Sequence, residues 1–262
     1  MRIAITGSAG GIGRAARERL EADGHTVIGI DVRDAEVIAD LSTPAGRAAM
    51  LAGVSAASRG ALDGLVAAAG VGGVTLGDRG GDFVVSVNYF GAIATLIGLR
   101  PLLARSSEAS AVAIASNSAT TQPALPLELI QACLSGDETY ARAQAAKAEP
   151  QQAYAASKLA LARWVRREAT ASDWAGAGIR LNAVAPGLIS TPMTAGSEDS
   201  VLGLGHVYPI PLRRAGRPAE VAGLLAYLLS PAAGFICGSL IYIDGGTDAA
   251  LRADDWPAPR RP

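Results

Sequence analysis

The chain has 262 residues, half of them hydrophobic and 18% charged, with a formal net charge of −1. This length suits one large α/β domain, and the near-neutral charge gives no attraction to nucleic acid or to anionic membranes. The two cysteines, Cys133 and Cys237, lack metal-ligand spacing, and the only histidines are His25 and His206. We therefore predict no metal site.

The sequence also predicts a cytoplasmic protein. The chain starts with an apolar strand pattern, without the charged and apolar regions of a secretion signal. No run of about 18 apolar residues indicates a membrane span. Two cysteines without a pairing pattern are typical of reduced thiols in the cytosol.

Short apolar runs alternate with longer helical patterns along the chain. The predicted strands are Arg2–Thr6, Thr26–Ile30, Val37–Asp40, Gly64–Ala69, Ala111–Ser116, Ile179–Val184 and Leu240–Ile243. The predicted helices are Ile12–Ala22, Thr43–Ser58, Phe83–Ala104, Gln152–Trp174 and Pro218–Leu229. This alternation predicts a three-layer, doubly wound parallel sheet of about seven strands, a Rossmann fold, in a single domain over residues 1–262.

Residues 117–153 interrupt the alternation. Leu127–Leu134 and Glu138–Glu149 have helical composition, and Pro150 is expected to end the second of them. Ser135–Glu138 has the S-x-x-E spacing of a capping box. We predict a helical insertion that acts as a packing layer or subunit contact, or as a lid over a substrate pocket. A polar, proline-rich tail occupies residues 252–262.

The first strand enters a glycine-rich turn, T-G-S-A-G-G-I-G, and leaves it as a helix. Gly7, Gly11 and Gly13 have a variant of the dinucleotide-binding spacing. Free amide groups and the helix dipole at such a turn favour an anion. The candidate cofactor-binding residues therefore include Ser8 and Ile12, and an ordinary tight turn is the alternative.

Asp31 ends the second strand, 18 residues after the last glycine of the turn. A carboxylate there accepts hydrogen bonds from a ribose 2′-OH and repels a 2′-phosphate, which predicts NAD as the cofactor. Arg14 and Arg33 leave NADP open, because either can counter a phosphate. Asp40 and Leu41 are candidates for binding the adenine, with a solvated Asp-Leu pair as the alternative.

Tyr154 and Lys158 stand four residues apart in Y-A-A-S-K. On a helix such residues share one face. A phenol beside a fixed ammonium ionises more readily, so it can exchange a proton with an alcohol near neutral pH. The pair and the glycine turn are each weak signals, but together and in this order they indicate an oxidoreductase.

With these motifs the chain resembles the short-chain dehydrogenase/reductase family, and within it the bacterial 3α-hydroxysteroid dehydrogenase/carbonyl reductase group. One departure is A-A-A-G where many relatives have N-N-A-G, which should not abolish the chemistry. The matching segments are Thr6–Gly13, Asp31, Ala67–Gly70, Ser86–Gly91, Ile114–Ser116, Tyr154–Lys158, Pro186–Thr191 and Asp244–Gly246. The closer likeness is carried by Gly29–Thr43, V-S-V-N-Y-F-G-A and the insertion.

The resemblance implies roles for the catalytic candidates. Tyr154 is the proton donor in ketone reduction and the acceptor in alcohol oxidation. Lys158 lowers the pKa of the tyrosine and binds the nicotinamide ribose. Ser116 hydrogen-bonds the substrate oxygen, with Ser118 and Ser110 as nearby alternatives.

The resemblance also implies further contacts. Asn88 holds a water that links Lys158 to solvent, or simply starts a helix. Thr191 binds the nicotinamide carboxamide, or caps a helix, and Ile189 approaches the same group through its backbone. The remaining cofactor-binding candidates are Ala69, Gly70, Pro186 and Gly187.

Residues 192–212 are apolar and broken by Gly and Pro, which predicts a mobile flap over an apolar substrate or a surface crossover. The predicted function is the NAD-dependent interconversion of a hydrophobic secondary alcohol and its ketone. Alternatives are a coniferyl-type primary alcohol dehydrogenase and a non-catalytic dinucleotide sensor. The resemblance implies a homodimer, with a tetramer possible, because relatives associate through long helices that the insertion can obstruct.

Overall fold

A computed structural model describes residues 1–256, so the predicted tail lies partly outside the described residues. The centre is a seven-stranded parallel sheet with strand order β3-β2-β1-β4-β5-β6-β7, which confirms the predicted fold class. The order reverses at β1 and β4, and the crevice at their carboxyl ends is where such folds bind ligands. The strands are β1 Arg2–Thr6, β2 Thr26–Asp31, β3 Val37–Ile38, β4 Gly64–Ala67, β5 Ser110–Ile114, β6 Arg180–Pro186 and β7 Leu240–Ile243.

Two of the strands that end earlier than predicted, β3 and β4, are followed by hydrogen bonds between side chains and backbone amides. β3 stops before Asp40, whose Oδ1 accepts a hydrogen bond from the amide of Ser42 at 2.9 Å. β4 stops at Ala67, because the next two amides donate to Oγ1 of Thr6. Periodicity in the sequence does not report such contacts.

Helices cover both faces of the sheet, and each face has its own apolar core. The helices are α1 Gly11–Ala22, α2 Pro44–Ala57, α3 Gly81–Val85, α4 Ala92–Leu103, α5 Ser118–Thr121, α6 Leu127–Ser135, α7 Glu138–Ala145, α8 Pro150–Glu168, α9 Glu198–Leu202, α10 Pro218–Leu229 and α11 Thr247–Leu251. A π-helical turn, Ser86–Gly91, joins α3 to α4. The sequence did not predict α9, α11 or this turn.

The continuous helical segment Gly81–Leu103 is long and apolar enough, by length and composition, to cross a membrane. Two-thirds of its most apolar window is buried inside the fold. It packs against α2, β4 and β5. A buried core helix satisfies the same test, so this segment is no sign of a membrane protein.

The insertion is helical, but the predicted capping box is wrong. Asp137 is the N-cap of α7, and its side chain accepts a hydrogen bond from the amide of Tyr140 at 2.9 Å. Ser135 instead ends α6. Pro150 begins α8 rather than ending α7, because proline fits the first turn of a helix.

A buried ion pair fastens the insertion to α2. Nη1 and Nη2 of Arg47 donate to the two carboxylate oxygens of Glu138 at 2.5 and 2.8 Å. The same guanidinium donates to the carbonyls of Leu41, at 2.7 Å, and Ser86, at 2.9 Å. Arg47 therefore connects the insertion, the loop after β3 and the π-helical turn.

Candidate active site

The loop between β1 and α1 has no room for side chains at two glycines. Gly7 has a φ of +71°, and a Cβ atom there would lie 2.9 Å from Cα of Ala69. A Cβ atom on Gly13 would lie 2.1 Å from the carbonyl oxygen of Gly7. α1 begins at Gly11 without a capping side chain, so its first amide groups can bind an anion such as a pyrophosphate. The side chain of Ile12 packs on the core.

Asp31 lies beside this turn at the end of β2. Its Oδ2 accepts a hydrogen bond from the amide of Ala9 at 3.0 Å. Within residues 1–256 no basic side chain forms an ion pair with it: Arg14 pairs with Glu18 at 3.6 Å, and Arg33 is exposed. A fixed carboxylate without a counter-charge fits a ribose 2′-OH and disfavours a 2′-phosphate.

Two of the other cofactor candidates are engaged in hydrogen bonds within the protein. Asp40 uses one carboxylate oxygen for the amide of Ser42, and the carbonyl of Leu41 is held by Arg47. Ser8 differs, since its buried Oγ has no hydrogen-bond partner within the described residues. A buried hydroxyl without a partner is costly. It lies against β2, where a Cβ atom on Gly29 would be 2.6 Å away, so a ribose or phosphate oxygen would satisfy it only after rotation about χ1.

The A-A-A-G segment after β4 runs from the nucleotide turn to the catalytic candidates. Oγ1 of Thr6 accepts hydrogen bonds from the amide of Ala69 and from the amide before it, both at 3.1 Å. A Cβ atom on Gly70 would lie 3.3 Å from Oδ1 of Asn88 and 3.5 Å from Nζ of Lys158. Gly70 therefore lies beside both side chains.

Asn88 lies inside the π-helical turn and is fully buried, so it does not start a helix. Its Oδ1 accepts a hydrogen bond from the amide of Val71 at 2.8 Å, and its Nδ2 donates to the carbonyl of Val71 at 2.9 Å. The side chain thus fixes the segment after Gly70. A water near Lys158 would have to use the second N–H of Nδ2 or the remaining acceptor capacity of Oδ1 of Asn88.

Ser116, Tyr154 and Lys158 lie together at the carboxyl end of β5. Ser116 follows this strand by two residues, and Tyr154 and Lys158 project from α8. Lys158 is buried, and its Nζ donates to the carbonyl of Ile114 at 2.8 Å. The same nitrogen lies 5.8 Å from the centroid of the Tyr154 ring.

The two alternative serines have other contacts. Ser118 donates its amide, at 3.2 Å, and its hydroxyl, at 3.0 Å, to Oγ of Ser116. Ser110 is at the opposite end of β5 and donates to the carbonyl of Leu228 at 3.0 Å. Ser116 is therefore the serine that faces Tyr154, with Ser118 supporting it.

Burial controls the protonation of this group. It raises the pKa of Tyr154, while the hydroxyl of Ser116 acts in the opposite direction. It lowers the pKa of Lys158 to about 8. Desolvation of the phenol is the dominant effect on the Tyr154 pKa, while the ammonium of Lys158 donates to the carbonyl of Ile114. Tyr154 is thus a neutral acid at neutral pH.

A cavity of about 280 Å³ opens in front of Tyr154. A Cβ atom on Gly72 would lie 2.8 Å from Cδ2 of the tyrosine, and one on Gly73 would lie 2.5 Å from the carbonyl oxygen of Met193. Close contacts therefore join Tyr154, the two glycines and the start of the segment 192–212. The other lining residues are Leu76, Glu149, Pro150 and Gln151.

Sequence reasoning missed the role of Gly72 and Gly73. The G-G pair, one residue after A-A-A-G, was a usable signal, since adjacent glycines mark close approach of the backbone. It also missed Asn117, which follows Ser116, and treated Tyr208 only as an apolar residue of the flap. No local pattern reports the hydrogen bond that the hydroxyl of Tyr208 donates to Oδ1 of Asn117 at 2.9 Å.

The segment after β6 brings Thr191 to the glycine turn. A Cβ atom on Gly11 would lie 3.6 Å from Cγ2 of Thr191. Thr191 does not cap a helix, because α9 has Ser197 as its N-cap. A second cavity of about 280 Å³ opens here, lined by Gly11, Arg14, Ala15, Glu18, Ser190, Thr191, Pro192, Arg217, Pro218 and Ala219.

The residues before Thr191 hold this segment to the sheet. Pro186 ends β6, and the amide of Gly187 donates to the carbonyl of Ile243 at 3.1 Å. Ile189 is buried and forms an isolated parallel bridge with Gly216. Within residues 1–256 no group of three or more potential metal ligands lies together.

The chain is similar to known dehydrogenases and reductases. A protein-family model described as enoyl-(acyl carrier protein) reductase matches residues 138–248. The 3-alpha-hydroxysteroid dehydrogenase/carbonyl reductase of Comamonas testosteroni is 44% identical over 258 residues, which cover 95% of this chain and 97% of the relative.

Solved structures give the same result. The 3-alpha-hydroxysteroid dehydrogenase of Pseudomonas sp. B-0831, complexed with NADH, superposes with a TM-score of 0.88 at 45% identity, over 97% of this chain and 99% of that one. The ligand-free aldohexose dehydrogenase of Thermoplasma acidophilum superposes with a TM-score of 0.72 at 27% identity, over 100% and 97% of the two chains.

Proposed function

The chain belongs to the short-chain dehydrogenase/reductase family, and we propose that it is an NAD-dependent enzyme that interconverts a hydrophobic secondary alcohol and its ketone. The observation that carries this proposal is the meeting of Ser116, Tyr154 and Lys158 at the carboxyl end of β5. The relative from Comamonas testosteroni and the NADH-bound neighbour support the same reaction.

NAD, when bound, supplies the carbon that accepts or donates the hydride. The turn from Gly7 to Gly13 would hold its pyrophosphate, and Asp31 and Ser8 its adenosine ribose. Thr191, which lies against Gly11, would reach the nicotinamide end. The close approach of backbone at Gly7 and Gly13 and the unpartnered Ser8 hydroxyl support this assignment.

The step that the protein's own side chains carry out is proton transfer at the substrate oxygen. In ketone reduction the phenol of Tyr154 donates its proton to the substrate oxygen, and the raised pKa of Tyr154 keeps that proton in place beforehand. The hydroxyl of Ser116 would hydrogen-bond the same oxygen. Lys158, with a pKa of about 8, can return a proton to the phenolate near neutral pH. Alcohol oxidation is the reverse.

The cavity in front of Tyr154 supports a hydrophobic substrate without negative charge. Its lining contains Gly72, Gly73 and Leu76 but no basic side chain, and Glu149 is the charged residue there. A carboxylate or phosphate on the substrate would meet no counter-charge at this site. A steroid-like or other bulky cyclic ketone is the substrate class we propose.

The test uses purified protein with NAD⁺ and two groups of alcohols, hydroxysteroids and coniferyl-type aromatic alcohols. We expect NADH to form fastest with the hydroxysteroids. Faster oxidation of the aromatic alcohols would replace the secondary-alcohol proposal. If the melting temperature rises with NAD but no alcohol or ketone in a broad panel reacts, the chain is a dinucleotide-binding protein without this activity.

We also propose a homodimer in the cytoplasm. Helices α6 and α7 pack against α8 and α3, so the insertion already covers part of the long helices. Phe235, between α10 and the edge strand β7, is fully exposed and offers an apolar contact. Light scattering should give twice the mass of the chain, and Phe235→Asp should reduce it.

The two free thiols, Cys133 and Cys237, support a reducing compartment.

A further inference from the structure

Tyr208 connects the second half of the flap, residues 192–212, to the body of the protein. The residues before it, 203–207, are all exposed, whereas Tyr208 is half-buried. Its hydroxyl donates a hydrogen bond to Oδ1 of Asn117 at 2.9 Å. The flap therefore leaves the surface at Tyr208. Beyond it, the side chain of Ile210 packs on Gly245, and the amide of Leu212 donates to the carbonyl of Gly245 at 3.2 Å.

Asn117 is a rigid acceptor for this bond. It is 2% exposed, and its amide donates to the carbonyl of Pro186 at 2.9 Å. Its Nδ2 lies 3.4 Å from Oδ2 of Asp244, which also accepts the amide of Asp248 at 2.7 Å. The backbone bond to Pro186 and the side-chain contact with Asp244 hold Asn117 in place, and its Oδ1 accepts the hydrogen bond of Tyr208.

The bond lies next to the catalytic candidates. Asn117 directly follows Ser116 in the chain. Burial raises the pKa of Tyr208, against the effect of its hydrogen bond to Asn117, and Asp244 and Tyr154 raise it further. Tyr208 therefore stays a hydrogen-bond donor throughout the neutral range.

The start of the flap is held differently. Met193 packs its backbone and side chain on Gly73 and Gly72, in front of the Tyr154 ring. The Met193 contact involves several atoms, whereas the hydrogen bond of Tyr208 involves a single hydroxyl.

We propose that Tyr208 is a positioning residue, whose hydroxyl fastens the flap to the loop that carries Ser116 and so closes the substrate cavity. The expected change in KM depends on the proposed function, whereas the contact between the flap and Asn117 does not. A bulky substrate would contact the closed flap, whereas NAD would bind mainly to the glycine turn. Loss of the hydroxyl should therefore weaken the substrate complex and spare the cofactor complex.

The variant is Tyr208→Phe, which removes one oxygen and keeps the ring. The matched control is Tyr140→Phe, because Tyr140 is exposed on α7 and its hydroxyl makes no hydrogen bond within the described residues. We expect the KM for the ketone to rise about two- to tenfold in Tyr208→Phe, the loss of one hydrogen bond. The kcat and the KM for NADH should change less than about twofold.

Amide hydrogen exchange tests the same bond without turnover. Amides of residues 203–208 should exchange about two- to tenfold faster in Tyr208→Phe, and at the original rate in Tyr140→Phe. Unchanged exchange overturns the proposal, even if no substrate is ever found. Faster exchange together with an equal loss in the kinetic constants of both substrates also overturns it, because that pattern indicates a general structural role.

Discussion

The nucleotide half and the substrate half of the site are held by different kinds of contact. In the nucleotide half, backbone meets backbone: added Cβ atoms at Gly7 and Gly13 would lie 2.9 and 2.1 Å from other main-chain atoms. In the substrate half, the flap is held by the packing of Met193 and by the hydroxyl of Tyr208.

This difference indicates which half can change. Close-packed backbone cannot accept one more methyl group without moving the sheet or α1. A flap fastened by a few side chains can be altered while the sheet stays in place, and loops on a rigid scaffold commonly carry specificity. We therefore expect substitutions in the two halves to affect different measurements.

The largest effect should separate the chemistry from cofactor binding. Tyr154→Phe removes the proton donor and should lower kcat by about 10²- to 10⁴-fold. The dissociation constant for NADH, measured by fluorescence, should change little, because the glycine turn is untouched. Turnover close to that of the original protein would remove Tyr154 from its proposed role and favour the dinucleotide-sensor alternative.

Asp31 tests the nucleotide half by charge. Asp31→Ser removes the carboxylate that would accept the ribose hydroxyl and repel a 2′-phosphate. NAD affinity should fall about 10- to 150-fold, the cost of a lost hydrogen bond to a charged group, and NADP affinity should rise. The ratio of the two dissociation constants is the measurement. If that ratio stays the same, the cofactor preference is set by other residues.

Gly13 and Gly10 form a matched pair for the role of close approach. Gly13→Ala places a methyl group against the carbonyl of Gly7 and should lower the free energy of unfolding by about 1–3 kcal/mol, with weaker NAD binding. A Cβ atom on Gly10 meets nothing within 4 Å, so Gly10→Ala should cost less. Urea unfolding of both variants gives the comparison, and equal losses would contradict it.

Lys158 should produce a pH-dependent stability in the substrate half. Its pKa is about 8 in the folded chain, below the unfolded value, so the unfolded chain binds the extra proton above pH 8. The penalty for burying the ammonium is therefore present at neutral pH and is relieved as the pH rises. Relative to Lys158→Met, the original protein should gain on the order of 2 kcal/mol between pH 7.5 and 9.5.

The measurement is urea unfolding of both proteins at several pH values, kept below the range in which an unfolded tyrosine ionises. A difference that is constant with pH would mean that Lys158 keeps its ordinary pKa in the folded chain. That result would also weaken its proposed role as a proton donor to Tyr154 near neutral pH.

The smallest effect concerns the ion pair between the halves. Glu138→Ala leaves the guanidinium of Arg47 without its carboxylate, and should lower the free energy of unfolding by about 1–2 kcal/mol, since Glu138 is partly exposed. Glu18→Ala is the control, because Glu18 and Arg14 form an exposed pair at 3.6 Å and should cost under about 0.5 kcal/mol. Equal losses of unfolding free energy in the two variants would show that the pairing of Arg47 with Glu138 contributes no more than an exposed ion pair.

The sequence predicted the nucleotide half more closely than the substrate half. β1 has the predicted bounds, α1 begins one residue early, and Asp31 lies beside the turn. These features depend on short-range patterns: strand, glycines, helix. The roles of the residues in binding NAD and in proton transfer remain predictions from the family resemblance.

The substrate half was predicted only in outline. The sequence indicated a helical insertion and an apolar flap, but it misassigned Ser135 as the cap of α7 and did not foresee the partners of Glu138 and Tyr208. The contacts of Glu138 and Tyr208 each join residues 91 positions apart. Propensity and periodicity describe neighbours along the chain, so they do not contain such pairs.

The sequence by itself determined the parallel sheet, the glycine turn and the identity of the tyrosine and lysine on one helix, because local periodicity and spacing encode them. Only the tertiary structure decided the protonation of Tyr154 and Lys158, because burial depends on everything packed around the two side chains. It also decided how the flap meets the site, because one hydroxyl and one amide oxygen came together only when the whole chain had folded.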